Sequence, residues 1–270
     1  MIGGSISLAL KRMGFNCKIT GVDNNPDHCI EALRLGLADE ILPLEPAINQ
    51  ADLVIIAIPV DATSKLLPRV LDIIKDQAVM DVGSAKAEIC KVVAGHPNRK
   101  RFVASHPMWG TEFSGPAAAK ADAFSGKAAV ICNKEDSDTD AVHVVENIYK
   151  VLGMHVVFMP AKEHDLHTAY ISHVSHITSF ALANTVLEKE KEDNTIFELA
   201  SGGFETTVRL AKSHAAMWVP IFKQNKENVL DVLNEHIAQL NKFKSCLESE
   251  NYEQMNELIR HANTIKRILK

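Results

Sequence analysis

The sequence predicts an α/β fold with a doubly wound, mostly parallel sheet, followed by an all-α domain. In the first 160 residues, short apolar runs alternate with amphipathic helical stretches, and this alternation favours βαβ units. After residue 160 the strand patterns stop, and helical patterns cover roughly residues 161–190, 214–248 and 251–269. We therefore predict one domain over residues 1–160 and a helical domain over residues 161–270, whose long apolar helices favour dimerisation.

The elements of the first domain follow from local patterns. Apolar runs predict strands over residues 17–23, 51–59, 78–83, 102–106, 128–132 and 155–159. Amphipathic stretches predict helices over residues 5–13, 26–35 and 62–75. Several of the strands are apolar almost throughout, as expected for strands that are covered on both faces of a parallel sheet.

The chain opens on Gly3-Gly4-Ser5, which matches the second half of a G-x-G-x-x-G dinucleotide-binding fingerprint. The strand and the first two glycines of that fingerprint do not precede it, so we predict a Rossmann-type domain whose first strand is missing. Asp23 ends the first visible strand, where an acid accepts hydrogen bonds from the adenosine ribose and repels a 2′-phosphate, so NAD is favoured over NADP. The predicted cofactor-binding residues are Gly3, Gly4, Ser5, Asp23, Ile58 and Pro59.

Composition excludes several functional classes. A net charge of −5 and an isoelectric point near 6.2 give no basic footprint for nucleic acid. No apolar run is long enough to predict a membrane span. The five cysteines are scattered and lack a C-x-x-C motif, which suits a reducing cytoplasm. His173 and His176 could supply two metal ligands, but without an evident third we predict no metal site.

The run from Ser105 to Gly115 concentrates polar chemistry directly after a predicted strand. Ligands of doubly wound sheets bind at the carboxyl edge of the strands. A dehydrogenase that oxidises an alcohol needs a group to accept the hydroxyl proton, and histidine does so near neutral pH. We therefore predict that His106 is the catalytic base. Ser84 follows the neighbouring strand and is either a hydrogen-bond partner of the same hydroxyl or the N-cap of a helix beginning at Ala85.

The segment His106-Pro-Met-Trp-Gly-Thr-Glu-Phe-Ser-Gly115 resembles the H-P-M-A-G-T-E-x-S-G signature of prephenate and arogenate dehydrogenases. The resemblance spans essentially the whole chain. Further matching segments are Ile2–Ser5, Asp81–Ser84, Glu163–Asp165, Ile171–His176 and Gly202–Phe204 followed by Arg209. It implies an enzyme that oxidises the ring alcohol of prephenate with NAD(P), releases carbon dioxide and yields 4-hydroxyphenylpyruvate in tyrosine biosynthesis.

The resemblance also implies roles for individual residues. His106 is then the base and Ser84 its hydrogen-bond partner. Arg209 is implied to anchor a substrate carboxylate, for which a forked guanidinium is well suited. The other substrate-binding candidates are His176, Glu112 and His164. The helical domain of residues 161–270 is implied to bind substrate and to form a homodimer. The other expected partner is the small-molecule substrate itself, either prephenate or arogenate.

Two residues depart from the family pattern. Trp109 replaces a small residue, and Thr206 stands where some members carry an aspartate. In a straight helix His164 and His173 would point to opposite sides, as would His167 and His176. Met217 and Trp218 lie in an apolar helical stretch, which favours a core or dimer contact.

Other functions remain open at this point. The enzyme could act on arogenate and release tyrosine. It could be a related β-hydroxyacid dehydrogenase or imine reductase, for which Lys162 would be the candidate catalytic lysine. Because the first strand is missing, it could also be a non-catalytic dimer that lacks cofactor affinity.

Overall fold

A computed structural model describes residues 1–191 and 195–268. The chain forms two compact units, Met1–Asn225 and Lys226–Lys270. The predicted domain boundary at residues 160 and 161 falls inside the first unit, where the last strand meets the next helix. It stays a prediction.

Seven strands lie in the described part of the first unit, and they form two sheets. Their bounds are β1 Thr20–Gly21, β2 Glu40–Ile41, β3 Leu53–Ile56, β4 Ala78–Asp81, β5 Phe102–Pro107, β6 Ala128–Cys132 and β7 His155–Met159. β1 and β2 pair in parallel as a separate sheet. The second sheet has the order β3-β4-β5-β6-β7 and is parallel except between β5 and β6. The mostly parallel α/β fold expected from the sequence is therefore confirmed.

The helices of the described residues cover both faces of the larger sheet and dominate the chain after β7. Those in the first unit are α1 Ile2–Arg12, α2 Pro26–Arg34, α3 Leu44–Gln50, α4 Val60–Ile73, α5 Ala87–Val92, α6 Thr139–Val151, α7 Ala161–Thr168, α8 Val174–Glu190, α9 Gly202–Val208 and α10 Ala215–Gln224. The second unit contains α11 Lys226–Glu248 and α12 Tyr252–Ala262. A π-helical turn, Ala169–His173, joins α7 to α8.

Alternate residues of the strands enter two hydrophobic clusters because successive side chains point to opposite faces of a sheet. Met80 and Val103 join a cluster with residues of α1 and α6. Val79 and Phe102 join a cluster with residues of α4, α5 and α10. The sheet is thus buried on both faces, and only its strand ends remain for a site.

Three local expectations differ from the structure. β2 was not predicted because two residues carry no readable pattern. The helix predicted over residues 214–248 is interrupted at Asn225, which is buried and hydrogen-bonded through its side chain to Asp165 and His173. The helix predicted over residues 161–190 contains the π turn. Within the described part of the chain, no helix has the length and apolarity needed to cross a membrane.

Candidate active site

The candidate site is built on the carboxyl ends of β4 and β5. These strands are parallel neighbours, with Met80 paired to Val103. Asp81 ends β4, Ser84 lies three residues farther on, and His106 is the penultimate residue of β5. The two predicted catalytic residues therefore lie at or just beyond the ends of adjacent strands, at the edge of the sheet where ligands of such folds bind.

A chain of hydrogen bonds runs from His106 into the protein. Its Nδ1 lies 2.9 Å from Nε2 of His164. Nδ1 of His164 lies 2.8 Å from Oδ1 of Asp165. His164 and Asp165 are 1% and 2% exposed, whereas His106 remains partly exposed. Two neighbouring residues of α7 thus lie directly behind the predicted base.

Asp165 is held in place by the amino end of α5. Its Oδ1 accepts a hydrogen bond from the backbone N–H of Lys86 at 2.8 Å, and its Oδ2 accepts one from Ala87 at 2.8 Å. A carboxylate in this position satisfies backbone donors that the helix itself cannot pair. The helix begins at Ala87, so the expectation that Ser84 caps a helix beginning at Ala85 is wrong.

Lys86 is a fully buried cation next to these groups. Its ammonium donates hydrogen bonds to Oδ2 of Asp81 and, at 2.7 Å, to the carbonyl oxygen of Ser105. The Lys86 and Asp81 side chains both have no exposed surface. The Ser105 hydroxyl donates to the Asp81 carbonyl and accepts from the Tyr149 hydroxyl, each at 2.7 Å. The residue before His106 is therefore fixed through both its carbonyl and its side chain.

Burial keeps the two imidazoles neutral. Burial lowers the pKa of His106 well below its usual range, and the nearby His164 and Lys86 lower it further. Burial also lowers the pKa of His164, although its hydrogen bond to Asp165 opposes that shift. A buried group disfavours its charged form unless a partner compensates.

The hydrogen-bond chain defines the tautomers of both rings. A carboxylate only accepts hydrogen bonds, so Nδ1 of His164 is the donor to Asp165. Neutral His164 then carries a lone pair on Nε2 and accepts the Nδ1 proton of His106. Neutral His106 in turn has its lone pair on Nε2. This arrangement can accept a proton from a substrate hydroxyl.

Arg209 and Glu112 are brought together although they are 97 positions apart in the sequence. Nη1 of Arg209 donates to Oε2 of Glu112 at 3.3 Å. The arginine side chain is 52% exposed and the glutamate side chain 16% exposed. The guanidinium therefore keeps donors that a substrate carboxylate could use.

His176 packs face to face on Trp218, with ring centroids 3.5 Å apart. Its Nδ1 donates to the Ser172 carbonyl oxygen at 3.0 Å, which leaves the lone pair of the neutral ring on Nε2. Burial lowers the pKa of His176, the Ser172 carbonyl opposes the shift, and the Arg209 guanidinium adds to it. Trp218 also belongs to a hydrophobic core cluster, as expected.

The π turn changes which histidines share a face of the helix. The five residues of the turn are wound at about 4.4 rather than 3.6 residues per turn. The residues that follow are therefore rotated about 90° less around the helix axis than in a continuous α-helix. His164 and His176 then lie about 30° apart around the axis rather than about 120°. The expectation based on a straight helix was that His164 and His173 face opposite sides, as do His167 and His176. It is wrong for both pairs, because the turn reduces each separation from about 180° to about 90°.

The predicted cofactor residues lie around the amino end of α1 and the ends of β1 and β3. A Cβ on Gly3 would lie 3.1 Å from Cβ of Ala57, and one on Gly4 would lie 2.9 Å from Cδ1 of Leu37. The absence of side chains there allows α1 to approach the strand end closely, as the last glycine of a dinucleotide fingerprint does. Asp23 is exposed, and its Oδ1 accepts a hydrogen bond from the backbone N–H of Asn25 at 2.8 Å.

The other cofactor candidates differ in accessibility. Ile58 and Pro59 follow β3 and are exposed. The Ser5 side chain is fully buried; its hydroxyl donates to the Met1 carbonyl and accepts from the Lys120 N–H, each at 3.0 Å. A hydroxyl occupied on both sides is not available to a phosphate, so only its backbone remains a candidate.

The two departures from the family pattern have local structural consequences. Trp109 packs edge to face on Phe124, with centroids 5.5 Å apart, and borders the hydrophobic core. The loop that follows ends at Gly115, whose φ of +80° favours glycine. The Thr206 hydroxyl donates back to the Gly202 carbonyl at 2.8 Å and adds no charge beside Arg209.

Sequence reasoning missed Lys86 and gave no separate role to Asp165. The available signals were a lysine shortly after the Asp81-Val-Gly-Ser84 turn and an acid beside His164. Lys162, the candidate of the imine reductase hypothesis, is exposed on α7. Among residues 1–191 and 195–268, no group of three or more His, Cys, Asp or Glu residues could hold a metal ion.

The mostly parallel sheet and the histidine at its carboxyl edge are those expected of a Rossmann-type dehydrogenase. Comparison with protein families then specifies it: residues 6–158 match the nucleotide-binding domain of prephenate dehydrogenase, and residues 160–261 match its dimerization domain. The chain belongs to the prephenate dehydrogenase family.

Individual relatives agree with this assignment. The chain is 33% identical to the prephenate dehydrogenase of Bacillus subtilis, over 98% of this chain and 72% of that protein. It is 26% identical to the cyclohexadienyl dehydrogenase of Zymomonas mobilis, over 100% of this chain and 93% of that protein. The crystal structure of Aquifex aeolicus prephenate dehydrogenase with hydroxyphenyl propionate and NAD+ superposes with a TM-score of 0.90 at 29% identity, covering 100% and 95% of the two chains.

Proposed function

We propose that this chain catalyses the NAD-dependent oxidative decarboxylation of prephenate to 4-hydroxyphenylpyruvate and carbon dioxide. The observation that carries the proposal is the hydrogen-bond chain from His106 through His164 to Asp165. It leaves the lone pair of a neutral imidazole on Nε2 of a partly exposed histidine at the ligand-binding edge of the sheet. Family membership supplies the substrate class.

His106 accepts one proton and returns it in this reaction. It accepts the proton of the ring hydroxyl at Nε2 as the carbinol carbon loses hydride and becomes a ketone. The bond to the ring carboxylate then breaks, its electron pair moves through the ring to the ketone oxygen, and carbon dioxide leaves. The protonated imidazole can return its proton to that oxygen, which gives the phenol and resets the base.

The substrate carries two carboxylates and needs orientation rather than strong activation. The Arg209 guanidinium is proposed to bind one of them through charge-assisted hydrogen bonds. Its ion pair with Glu112 holds it near the loop that follows β5. His176, with its lone pair on Nε2, and Ser84, three residues after β4, are proposed to contact the polar groups of the ring substituents.

The residues around α1 fit a dinucleotide. When NAD(P) is bound, it supplies the hydride acceptor. The backbone at Gly3 and Gly4 would face the pyrophosphate, because the amino end of a helix attracts phosphate. The carboxylate of Asp23 would accept from the ribose hydroxyls and repel a 2′-phosphate, which supports NAD over NADP. Ile58 and Pro59 would line the same site.

A homodimer through the helical region is part of the proposal. It is supported by the match to a dimerization domain. Ile171, Leu199 and Val219 are 66%, 85% and 61% exposed, and large exposed apolar side chains are typical of association surfaces. The five cysteines are unpaired, which agrees with the predicted cytoplasmic location.

Turnover by the purified protein tests the proposal, with NADH formation followed at 340 nm as a conventional readout. Rates with prephenate and arogenate, each with NAD and NADP, should be highest for prephenate with NAD. His106→Asn should lower kcat by about 10²–10⁴ while substrate still binds. The control is His167→Asn, an exposed histidine of α7, which should retain the wild-type rate.

Two outcomes would contradict the proposal. Wild-type-like turnover in His106→Asn would remove the base role from this residue. If NAD titration detects no binding and none of the four substrate and cofactor combinations turns over, the non-catalytic dimer becomes the better description. Higher turnover with arogenate would replace the substrate while leaving the role of His106 intact.

A further inference from the structure

We infer that His164 and Asp165 are a positioning pair that fixes the tautomer of the base, rather than residues that touch the substrate. The pair holds a proton on Nδ1 of His106 and thereby keeps Nε2 as a proton acceptor. This inference rests on the proposed function because it assumes that His106 is the base. It gives His164 a role different from the substrate contact predicted from the sequence.

The occupancy of the His164 ring rules out a direct contact with substrate. Nε2 is engaged by His106 at 2.9 Å and Nδ1 by Asp165 at 2.8 Å. With 1% of its surface exposed, the side chain offers no polar atom to a ligand. What it can do is transmit the orientation and proton position set by Asp165.

Asp165 is suited to set that orientation because it is immobilised from several sides. Its two oxygens accept from the Lys86 and Ala87 N–H groups, each at 2.8 Å. Its carbonyl oxygen accepts from the Asn225 side chain at 2.6 Å. The acceptor that faces His164 therefore stays in place without help from the ligand.

Lys86 ties this support to the base itself. Its backbone N–H binds Asp165, while its ammonium binds the carbonyl oxygen of Ser105, the residue preceding His106. The support and the strand end that carries the imidazole are thus linked through one buried residue. Hydrogen-bond partners behind a functional histidine fix its orientation and its tautomer in this way.

Loss of the Asp165 carboxylate should allow His106 to adopt its other tautomer. In Asp165→Asn, the amide can present an N–H to His164 instead of an acceptor. His164 would then carry its proton on Nε2, and His106 would have to accept at Nδ1 and hold its own proton on Nε2. An imidazole in that state cannot take the proton of a substrate hydroxyl.

The first experiment observes the proton directly in cofactor-free protein. Nitrogen-15 NMR of labelled histidines at pH 7.5 reports which nitrogen of His106 carries the proton, with His106→Asn used to assign the signals. We expect an unprotonated Nε2 in the wild type and a protonated Nε2 in a substantial fraction of Asp165→Asn. A wild-type His106 with its proton on Nε2 would overturn the inference, whatever the activity of the enzyme.

The second experiment separates positioning from folding by using a graded pair of variants. His164→Gln places an amide oxygen that can accept from Nδ1 of His106 and should keep at least about a tenth of the wild-type kcat. His164→Leu cannot accept and should lose about 10²-fold or more in kcat with KM within about threefold. Equal losses in both variants would show that His164 only fills space and would overturn the inference.

Failure of the inference and failure of the proposed function give different results. An inactive wild type with an unprotonated Nε2 contradicts the function but not the arrangement of protons. An active wild type in which Asp165→Asn changes neither the NMR signal nor kcat contradicts the positioning pair alone. If Asp165→Asn does not fold, the wild-type NMR result and the graded His164 pair decide.

Discussion

Lys86→Met should destabilise the protein more than any substitution of an exposed residue in α5, the helix that follows Lys86. The Lys86 and Asp81 side chains have no exposed surface, and the Lys86 ammonium also donates a hydrogen bond to the Ser105 carbonyl oxygen. Removing one partner of a buried ion pair costs about 3–5 kcal/mol, and an unsatisfied buried carbonyl costs about 1–3 kcal/mol. Since the two costs share one side chain, we expect a total of about 4 kcal/mol rather than their sum.

Urea denaturation followed by circular dichroism measures this change in the free energy of unfolding. Lys91→Met, on the exposed side of α5, is the matched control and should change it by less than about 0.5 kcal/mol. Asp81→Asn combined with Lys86→Met removes both charges and should recover at least about 1.5 kcal/mol of the loss. A decrease of less than about 1 kcal/mol in the free energy of unfolding of Lys86→Met would refute the reasoning, because leaving a buried carboxylate without its cation costs more than that.

Two further predictions concern the substrate and pH. Arg209→Ala should raise KM for prephenate about 10–100-fold with kcat little changed, since a charge-assisted contact is lost. Steady-state kinetics measure this change, with Lys212→Ala as the control. An unchanged KM in Arg209→Ala would show that another residue binds the substrate carboxylate. Burial lowers the pKa of His173 to about 4, so between about pH 4 and pH 6.5 the unfolded chain binds a proton at this residue that the folded protein does not bind. The free energy of unfolding should therefore fall by about 2 kcal/mol from pH 7 to pH 5 through this residue. Urea denaturation at the two pH values should show a correspondingly smaller fall for His173→Gln. An equal fall in the variant and the wild type would contradict the lowered pKa of His173.

The position of the site at the carboxyl edge of the sheet could be predicted from the sequence, because the patterns that indicate it are local. β4 and β5 are apolar runs that end in polar and glycine-rich segments, and parallel strands bring such ends together. His106 and Ser84 were therefore found at the edge without coordinates. Arg209 and Glu112 were named only through resemblance, because no local pattern relates residues 97 positions apart.

Lys86 could not be predicted for a physical reason. A lysine beside a turn is usually solvated, and burial is tolerated here only because Asp81 and the Ser105 carbonyl surround its ammonium. The cap that Asp165 provides for α5 comes from 78 residues away. Such contacts depend on tertiary packing, which periodicity does not encode.

The π turn was missed because helical periodicity assumes a constant number of residues per turn. Residues 161–190 read as one continuous helical pattern, and the additional residue in the turn leaves the apolar spacing readable on both sides. Its effect appears only in the angular relation between histidines.

That turn makes the number of residues between His164 and His176 important. Removing one residue within it, such as the exposed Ile171, would restore ordinary winding. Eleven steps of about 100° would then place His176 about 20° from His164, close to the present relation. Removing one residue of the α-helical turns on either side would instead rotate everything downstream by about 100°. The π turn is therefore a place where the helix can lose one residue without turning His176 to another face.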